Sequence, residues 1–270
     1  MCFPSKRQKD NFTDGDNPAT QKSTKANGSR SIESKPAPTL STQSSQKSSA
    51  PPSLPPTLPQ VEITAEMSPR VAIIIYTMYG HIGKLAEAVK KGVESAGGKA
   101  EIFQVPETLS DEVLTKMHAL GAKPNYPVIS VDQLPNFDAF IFGIPTRYGN
   151  MPGQWKAFWD ATGQLWGTGA LAGKYASVFV STASPGGGQE STVINTLSTL
   201  THHGIIFVPF GYSHAFGQLT NLTEVRGGSP WGAGTFAGSD GSRQPTDLEK
   251  EVAEIQGTAF WKTVSRVKFN

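Results

Sequence analysis

The residue pattern predicts an α/β fold, a doubly wound five-stranded parallel sheet with helices on both faces. Two observations carry this. From Val71 onward, apolar runs of strand length alternate with segments of helical spacing, the order of a parallel sheet built from βαβ units. The runs are apolar on consecutive residues, as strands covered on both faces are, and not on alternate ones.

The first strand is Val71 to Tyr76, V-A-I-I-I-Y, which gives way to Thr77-Met78-Tyr79-Gly80-His81. A helix follows, because Ile82, Leu85, Ala86, Val89 and Val93 recur at three- and four-residue spacing until Gly97-Gly98 stops it. Ala100 to Val105 is the second strand, Ser110 to Leu120 a short helix, and Phe137 to Ile144, F-D-A-F-I-F-G-I, the third strand. Tyr175 to Ser181 is the fourth. The helix from about Gln189 to His203 turns Val193, Ile194, Leu197 and Leu200 inward and closes at Gly204; Ile205 to Phe210 is the last strand. The final helix opens at Pro245-Thr246, where Glu249 completes a capping box, and runs through Leu248, Val252, Ile255 and Ala259.

Residues 1–69 have another character. They are rich in Ser, Pro, Thr, Lys and Gln, with runs such as S-S-Q-K-S-S-A-P-P-S and L-P-P-T-L-P, and bury too little apolar surface to offset their ordering entropy. The expectation is a disordered extension, 1–69, before one folded domain, 70–270. The extension holds 8 of the 24 Lys and Arg and 6 of the 22 Asp and Glu, which leaves the domain with 16 of each sign. A formally neutral domain gives no footprint for nucleic acid. Cys2 is the only cysteine, so an intrachain disulfide, a C-x-x-C pair and a cysteine-ligated metal site are excluded. His202 and His203 are adjacent and cannot ligate as an i, i+4 pair, so no metal is expected. The chain shows no apolar run of spanning length and no signal-peptide core, and the expected compartment is the cytoplasm. Cys2 beside Lys6, Arg7 and Lys9 fits a lipidated, basic, peripheral contact with the plasma membrane; a chance cysteine is the alternative.

In a doubly wound sheet, ligands lie beyond the carboxyl ends of the strands. The loop after the first strand, Thr77 to Ile82, aims backbone N–H groups, a hydroxyl and a helix N-terminus at one spot, which suits a phosphate. It is neither G-x-G-x-x-G nor a P-loop. After the third strand, Pro145 to Lys156 offers a hydroxyl in Thr146, a cation in Arg147 and a flat ring in Tyr148, with Gly149 and Gly153 for close approach; Tyr148 in the core is the other reading. After the fourth, S-T-A-S-P-G-G-G-Q-E presents backbone donors suited to the edge of a flat heterocycle, a flexible linker being the alternative. Trp166, among Gly163, Gly167 and Gly169, is a packed aromatic or a lid, and His203 taken alone is a helix-terminal cap. Asp240 and Arg243 read as turn chemistry or a subunit contact.

T-M-Y-G-H-I is similar to the phosphate loop of flavodoxin-like proteins that bind flavin mononucleotide, FMN. With P-T-R-Y-G-N-M, G-Q-L-W-G-T-G-A-L-A-G-K, A-S-V-F-V-S-T-A-S-P-G-G-G-Q-E, T-H-H-G, V-R-G-G-S-P-W-G-A and G-S-D-G-S-R-Q-P, the chain from about Val71 to near its end resembles the WrbA family of NAD(P)H:quinone oxidoreductases. The resemblance implies a flavodoxin-like sheet of order 2-1-3-4-5, bound FMN, NADH or NADPH as electron donor, and two-electron reduction of a quinone by a ping-pong route. Chemistry at flavin N5 needs no catalytic side chain. It also implies a homotetramer or homodimer and a role in quinone and oxidative stress. Residue by residue, Thr77, Met78, Tyr79, Gly80, His81 and Ile82 would hold the phosphate, with Tyr79 also facing the nicotinamide cofactor. Thr146, Arg147, Tyr148 and Gly149 would flank the ring system, and Ser181, Thr182, Ala183, Ser184, Gly186 and Gly187 would take its other edge. His203 would touch FMN and Trp166 would cover the substrate side. The family's S-T-G-T-G-G-G is here S-T-A-S-P-G-G-G, longer by one residue. Two other classes compete: a one-electron flavodoxin-like carrier, against which the balanced charge speaks, and a membrane-domain structural protein with a vestigial FMN site.

Overall fold

The computed structural model describes residues 68–121 and 123–269. Cys2, its basic neighbours and nearly all of the predicted extension lie outside the described residues. Five parallel strands follow in the order β2-β1-β3-β4-β5: β1 (Val71–Ile75), β2 (Ala100–Gln104), β3 (Ala139–Pro145), β4 (Tyr175–Thr182) and β5 (Ile206–Phe207). All residues of β1 and β3 are buried, as their unbroken apolar runs require.

Alternation along β1 sorts the core into two layers. Ala72, Ile74 and Tyr76 face Phe140, Phe142, Trp155 and Trp159; Val71, Ile73 and Ile75 face α1 (His81–Ser95) and α7 (Asp247–Val264). The first layer is aromatic. Phe142 meets Trp155 and Trp159 edge-on, each at 5.5 Å, and the Trp155 indole N–H donates to the Gly143 carbonyl at 3.2 Å. That layer is closed by α2 (Asp111–Lys116), α3 (Gly153–Asp160) and α5 (Gln189–His202). Two short helices complete the chain, α4 (Gly163–Gly167) and α6 (Phe216–Leu219).

Four details depart from the sequence expectation. The strand expected over Ile205 to Phe210 pairs with β4 only at Ile206 and Phe207; the Val208 N–H still reaches the Ala176 carbonyl, and Pro209 has no N–H with which to continue. A further strand, β6 (Gly234–Phe236), takes over farther along the same edge, opposite Val180–Thr182. Helix α2 stops at Lys116, ahead of the left-handed His118 and Gly121. On α5, Val193, Thr196 and Leu200 are buried with Thr192, whereas Ile194, one residue off that stripe, is exposed.

α1 and α7 cross at van der Waals range because each has a glycine at the contact. A Cβ on Gly92 would overlap the Glu254 carbonyl oxygen, and one on Gly257 would overlap that of Val89. The Thr258 hydroxyl then donates to the Gly92 carbonyl at 2.9 Å, and Lys91 pairs with Glu254 at 2.8 Å. Helix propensity alone would make Gly92→Ala stabilising by about 1 kcal/mol. The crossing reverses the sign. We expect a loss of about 2–3 kcal/mol in urea unfolding, as the helices are forced apart.

Candidate functional site

The carboxyl ends of β1, β3 and β4 bring three turns to one edge of the sheet. In the first, the buried Thr77 hydroxyl accepts the Gly80 N–H at 3.1 Å. Gly80 is left-handed, φ 85°, and no side chain caps the helix it opens. The N–H groups of His81, Ile82 and Gly83 therefore have no acceptor within the helix. Met78 and Ile82 send their side chains into opposite core layers, so only their backbone faces the turn. Tyr79 is partly exposed, its hydroxyl donating to the Met117 carbonyl at 3.1 Å.

His81 turns its buried ring away from this spot. Its Nε2 lies 2.9 Å from the Arg243 carbonyl, which can only accept, so the proton is on Nε2. Burial holds this imidazole below its usual 6.5, against the opposing pull of the Arg243 and Gly241 carbonyls.

The second turn is a tight reversal in which Arg147 and Asn150 exchange backbone hydrogen bonds at 2.7 and 3.0 Å. Both central residues are left-handed, Tyr148 at φ 55° and Gly149 at φ 74°. For Gly149 this is free; for Tyr148 it costs on the order of 1–2 kcal/mol. The ring is 94% exposed, so Tyr148 is not a core residue. The Thr146 hydroxyl accepts the Gly149 N–H at 3.1 Å and meets the Thr192 hydroxyl at 2.8 Å, while Arg147 folds back on the Thr146 carbonyl at 2.8 Å.

In the third turn Ser181 and Thr182 are buried, and the Thr182 hydroxyl donates to the Ser184 carbonyl at 2.8 Å. The Gly187 N–H also reaches that carbonyl, at 3.0 Å. Pro185 and Gly186 thus span a β-turn, and the Ala183 carbonyl beside it accepts the Gly238 N–H at 3.0 Å. Gly188, φ 92°, opens α5; a Cβ there would sit 2.9 Å from the Gly149 Cα. The second and third turns are in contact. An open cavity of about 350 Å³ lies between the third turn and the residues Gly228, Ser229 and Phe236.

Sequence reasoning missed the residue that spaces these turns. Glu107, after β2, accepts from the Tyr76 hydroxyl at 3.1 Å, the Thr108 and Leu109 N–H groups at 2.9 and 3.0 Å, the Gln154 amide at 3.2 Å, and Lys123. Tyr76 immediately precedes the first turn and Gln154 follows the second. Burial above all pushes the Tyr76 phenol up to about 12. An isolated V-P-E-T carried no signal of these contacts.

Trp166 and His203 do not join the turns. Gly173, two residues before β4, donates to the Gly204 carbonyl, and Ile206 donates to that of Lys174, so the end of α5 lies at the start of β4. Eight residues of β4 separate that corner from the third turn, roughly 23 Å at the usual strand rise. There Trp166 is 60% exposed, and the Thr162 hydroxyl meets His203 Nε2 at 2.9 Å. His203 Nδ1 and Trp159 Nε1 are buried without a partner among the described residues.

Residues 70–217 match the family model described as NADPH-dependent FMN reductase. The NAD(P)H quinone oxidoreductase PST3 of Candida albicans is 66% identical over 200 residues, 74% of this chain and 100% of the relative. Protoplast secreted protein 2 of Saccharomyces cerevisiae is 64% identical over 200 residues, 73% of this chain and 99% of the relative. Among solved structures, the flavodoxin, WrbA-like protein from Agrobacterium tumefaciens superposes with a TM-score of 0.51 at 22% identity, over 75% of this chain and 100% of that one. The fold is flavodoxin-like.

Two histidines give the site and its distant corner a shared pH dependence. Burial lowers the pKa of His81, and burial followed by the charge of His202 lowers that of His203. The unfolded chain therefore takes up these protons first, so the stability they contribute is complete above about pH 6.5 and is lost as the pH falls from there through the lower folded-state values. Urea midpoints should decline from pH 7.5 to 5.5, above the range of carboxylate titration. His203→Asn should flatten the decline; an unchanged slope would mean that His203 is not the source.

Proposed function

This chain belongs to the NADPH-dependent FMN reductase family, and from that premise we propose that it is an FMN-dependent NAD(P)H:quinone oxidoreductase of WrbA type. The observation that carries the reading is the uncapped start of α1 at a left-handed glycine, at the carboxyl end of β1. The residues fit the cofactor. Free first-turn N–H groups and the Thr77 hydroxyl suit its phosphate, and the glycine backbone of residues 186–188 suits the edge of a flat ring.

When bound, FMN supplies the redox chemistry, taking two electrons from NADH or NADPH and passing them to a quinone. The chain's part is to bind and orient. Thr77 to Ile82 would hold the phosphate; Thr146, Arg147, Tyr148 and Gly149 would flank the ring on one side, and Ser181, Thr182, Ala183, Ser184, Gly186 and Gly187 on the other. Tyr79 and Tyr148 have exposed rings, and a nicotinamide and then a quinone would stack in turn on the flavin that these loops hold. One place used twice is ping-pong.

His203 and Trp166 can serve such a site only from another copy of the chain, and this supports a homodimer or homotetramer. The exposed indole of Trp166 favours that corner as a contact. The same reading assigns the enzyme to quinone and oxidative stress defence in the cytoplasm. It keeps Cys2 and the basic cluster of the extension, 1–69, as a peripheral contact with the plasma membrane; the support is composition.

Steady-state NADH oxidation, with and without benzoquinone, tests the function. The quinone should accelerate it strongly, and double-reciprocal plots at several quinone concentrations should be parallel; no acceleration would remove the enzyme reading. The cradle has its own test. Thr77→Ala should weaken FMN binding by roughly 1.5–3 kcal/mol, about ten- to a hundredfold, and Gly80→Val should weaken it more, because a β-branched residue resists φ 85° and obstructs the phosphate. A folded Gly80→Val protein that binds FMN as well as Thr77→Ala does would place the phosphate elsewhere.

A further inference from the structure

Residues 218–269 lie beyond the stretch that matches the family model, yet part of that segment closes around the head of α1. Arg243 is its most constrained member. The backbone N–H bonds to the Ala237 carbonyl at 3.0 Å, and the guanidinium donates to the carbonyls of Phe236 at 2.7 Å and Val225 at 2.9 Å and to Glu249 at 3.0 Å. Glu249 has no exposure at all, and it is held in turn by the N–H groups of Gly227 and Thr246 and by the Thr235 hydroxyl, at 2.7–2.9 Å. The carbonyl of Arg243, fixed in this way, receives the His81 ring at 2.9 Å. One residue on, Gln244 accepts from Lys84 at 2.6 Å.

The first turn of a helix is its least restrained part, and here no side chain caps it. A phosphate nevertheless needs its N–H donors within about 2.7–3.2 Å and well aligned. The restraint has to come from outside the helix. We propose that Arg243, locked by the buried carboxylate of Glu249, is a positioning residue for the phosphate-binding turn, its carbonyl holding His81 and so the aim of the free N–H groups of α1. The proposal rests on the reading that this turn takes the phosphate of FMN.

Riboflavin, which is FMN without the phosphate, separates positioning from general support. Full-length protein freed of flavin is titrated with each by fluorescence quenching, alongside a melting curve. Wild type should prefer FMN by about a hundredfold. Arg243→Ala should cut that preference about tenfold while riboflavin affinity stays within about twofold; His81→Phe should do the same, and the double variant should lose no more than either. If Arg243→Ala does not fold, Arg243→Lys, which keeps the cation but not the fork, and His81→Phe carry the comparison. Equal weakening of both ligands, or an undiminished preference in folded variants, would overturn the positioning role alone. A wild type that binds riboflavin as tightly as FMN would overturn the phosphate reading, and the positioning role with it.

Discussion

A carboxylate taken wholly out of water must be met by donors on nearly every lone pair, and the architecture around β6 is arranged to meet one. Glu249 projects from the first turn of α7 into the space between β6, the strap at Gly227 and the loop ending at Thr246, and each of those segments gives it a hydrogen bond. Its ionic partner, the Arg243 guanidinium, lies 3.0 Å away and is itself partly exposed, so the cost of burying the carboxylate falls chiefly on these backbone and hydroxyl donors. Two buried amides repeat the device. Gln189 takes the Gly228 N–H and donates to Thr235, and Gln256 takes the Ala233 N–H and donates to Val178. Side chains from α5 and α7 thus supply hydrogen bonds that a continuous edge strand would supply elsewhere.

The site inherits its rigidity from this frame and owns few polar side chains of its own. Its working surface is mostly backbone, since glycines at 80, 149 and 188 all take left-handed conformations and leave N–H groups unobstructed. The hydroxyls of Thr77, Thr146 and Thr182 hold the turns together, and that of Thr77, which only accepts there, keeps its own proton to donate. Glu107 spaces the first and second turns, and the segment at 237–243 bonds to the first and third. Geometry is therefore set from behind the site.

Much of this was legible in the sequence where burial is two-sided. V-A-I-I-I and A-F-I-F-G-I can only be interior strands, and the capping box at Thr246 and Glu249 marks the start of α7 within a residue. The second role of Glu249, as a hub for β6, was not legible, because its partners lie at 227 and 235 and bond through backbone. G-T-F is too short to register as a strand, and Pro209 cuts its predecessor off. Ile194 shows the limit of a periodicity argument: one position, about 100° around the helix, separates the core from solvent. The motifs placed the three turns correctly at one edge, whereas the same residue strings gave no measure of how far Trp166 and His203 lie from them. Chain order holds that information, since both residues sit next to segments that enter a strand and not next to segments that leave one.

The divided margin of β4 has a bearing on how these molecules behave in a crowded solution. A long, bare strand at the border of a sheet is a template that can recruit a strand from another molecule. Here the border consists of two paired residues in β5 and three in β6, interrupted by Pro209 and by glycines at 232 and 234. No stretch of it is long enough to nucleate intermolecular pairing. Splitting the last strand therefore guards that side of the protein against joining edge to edge, while leaving its opposite faces free to pack helices.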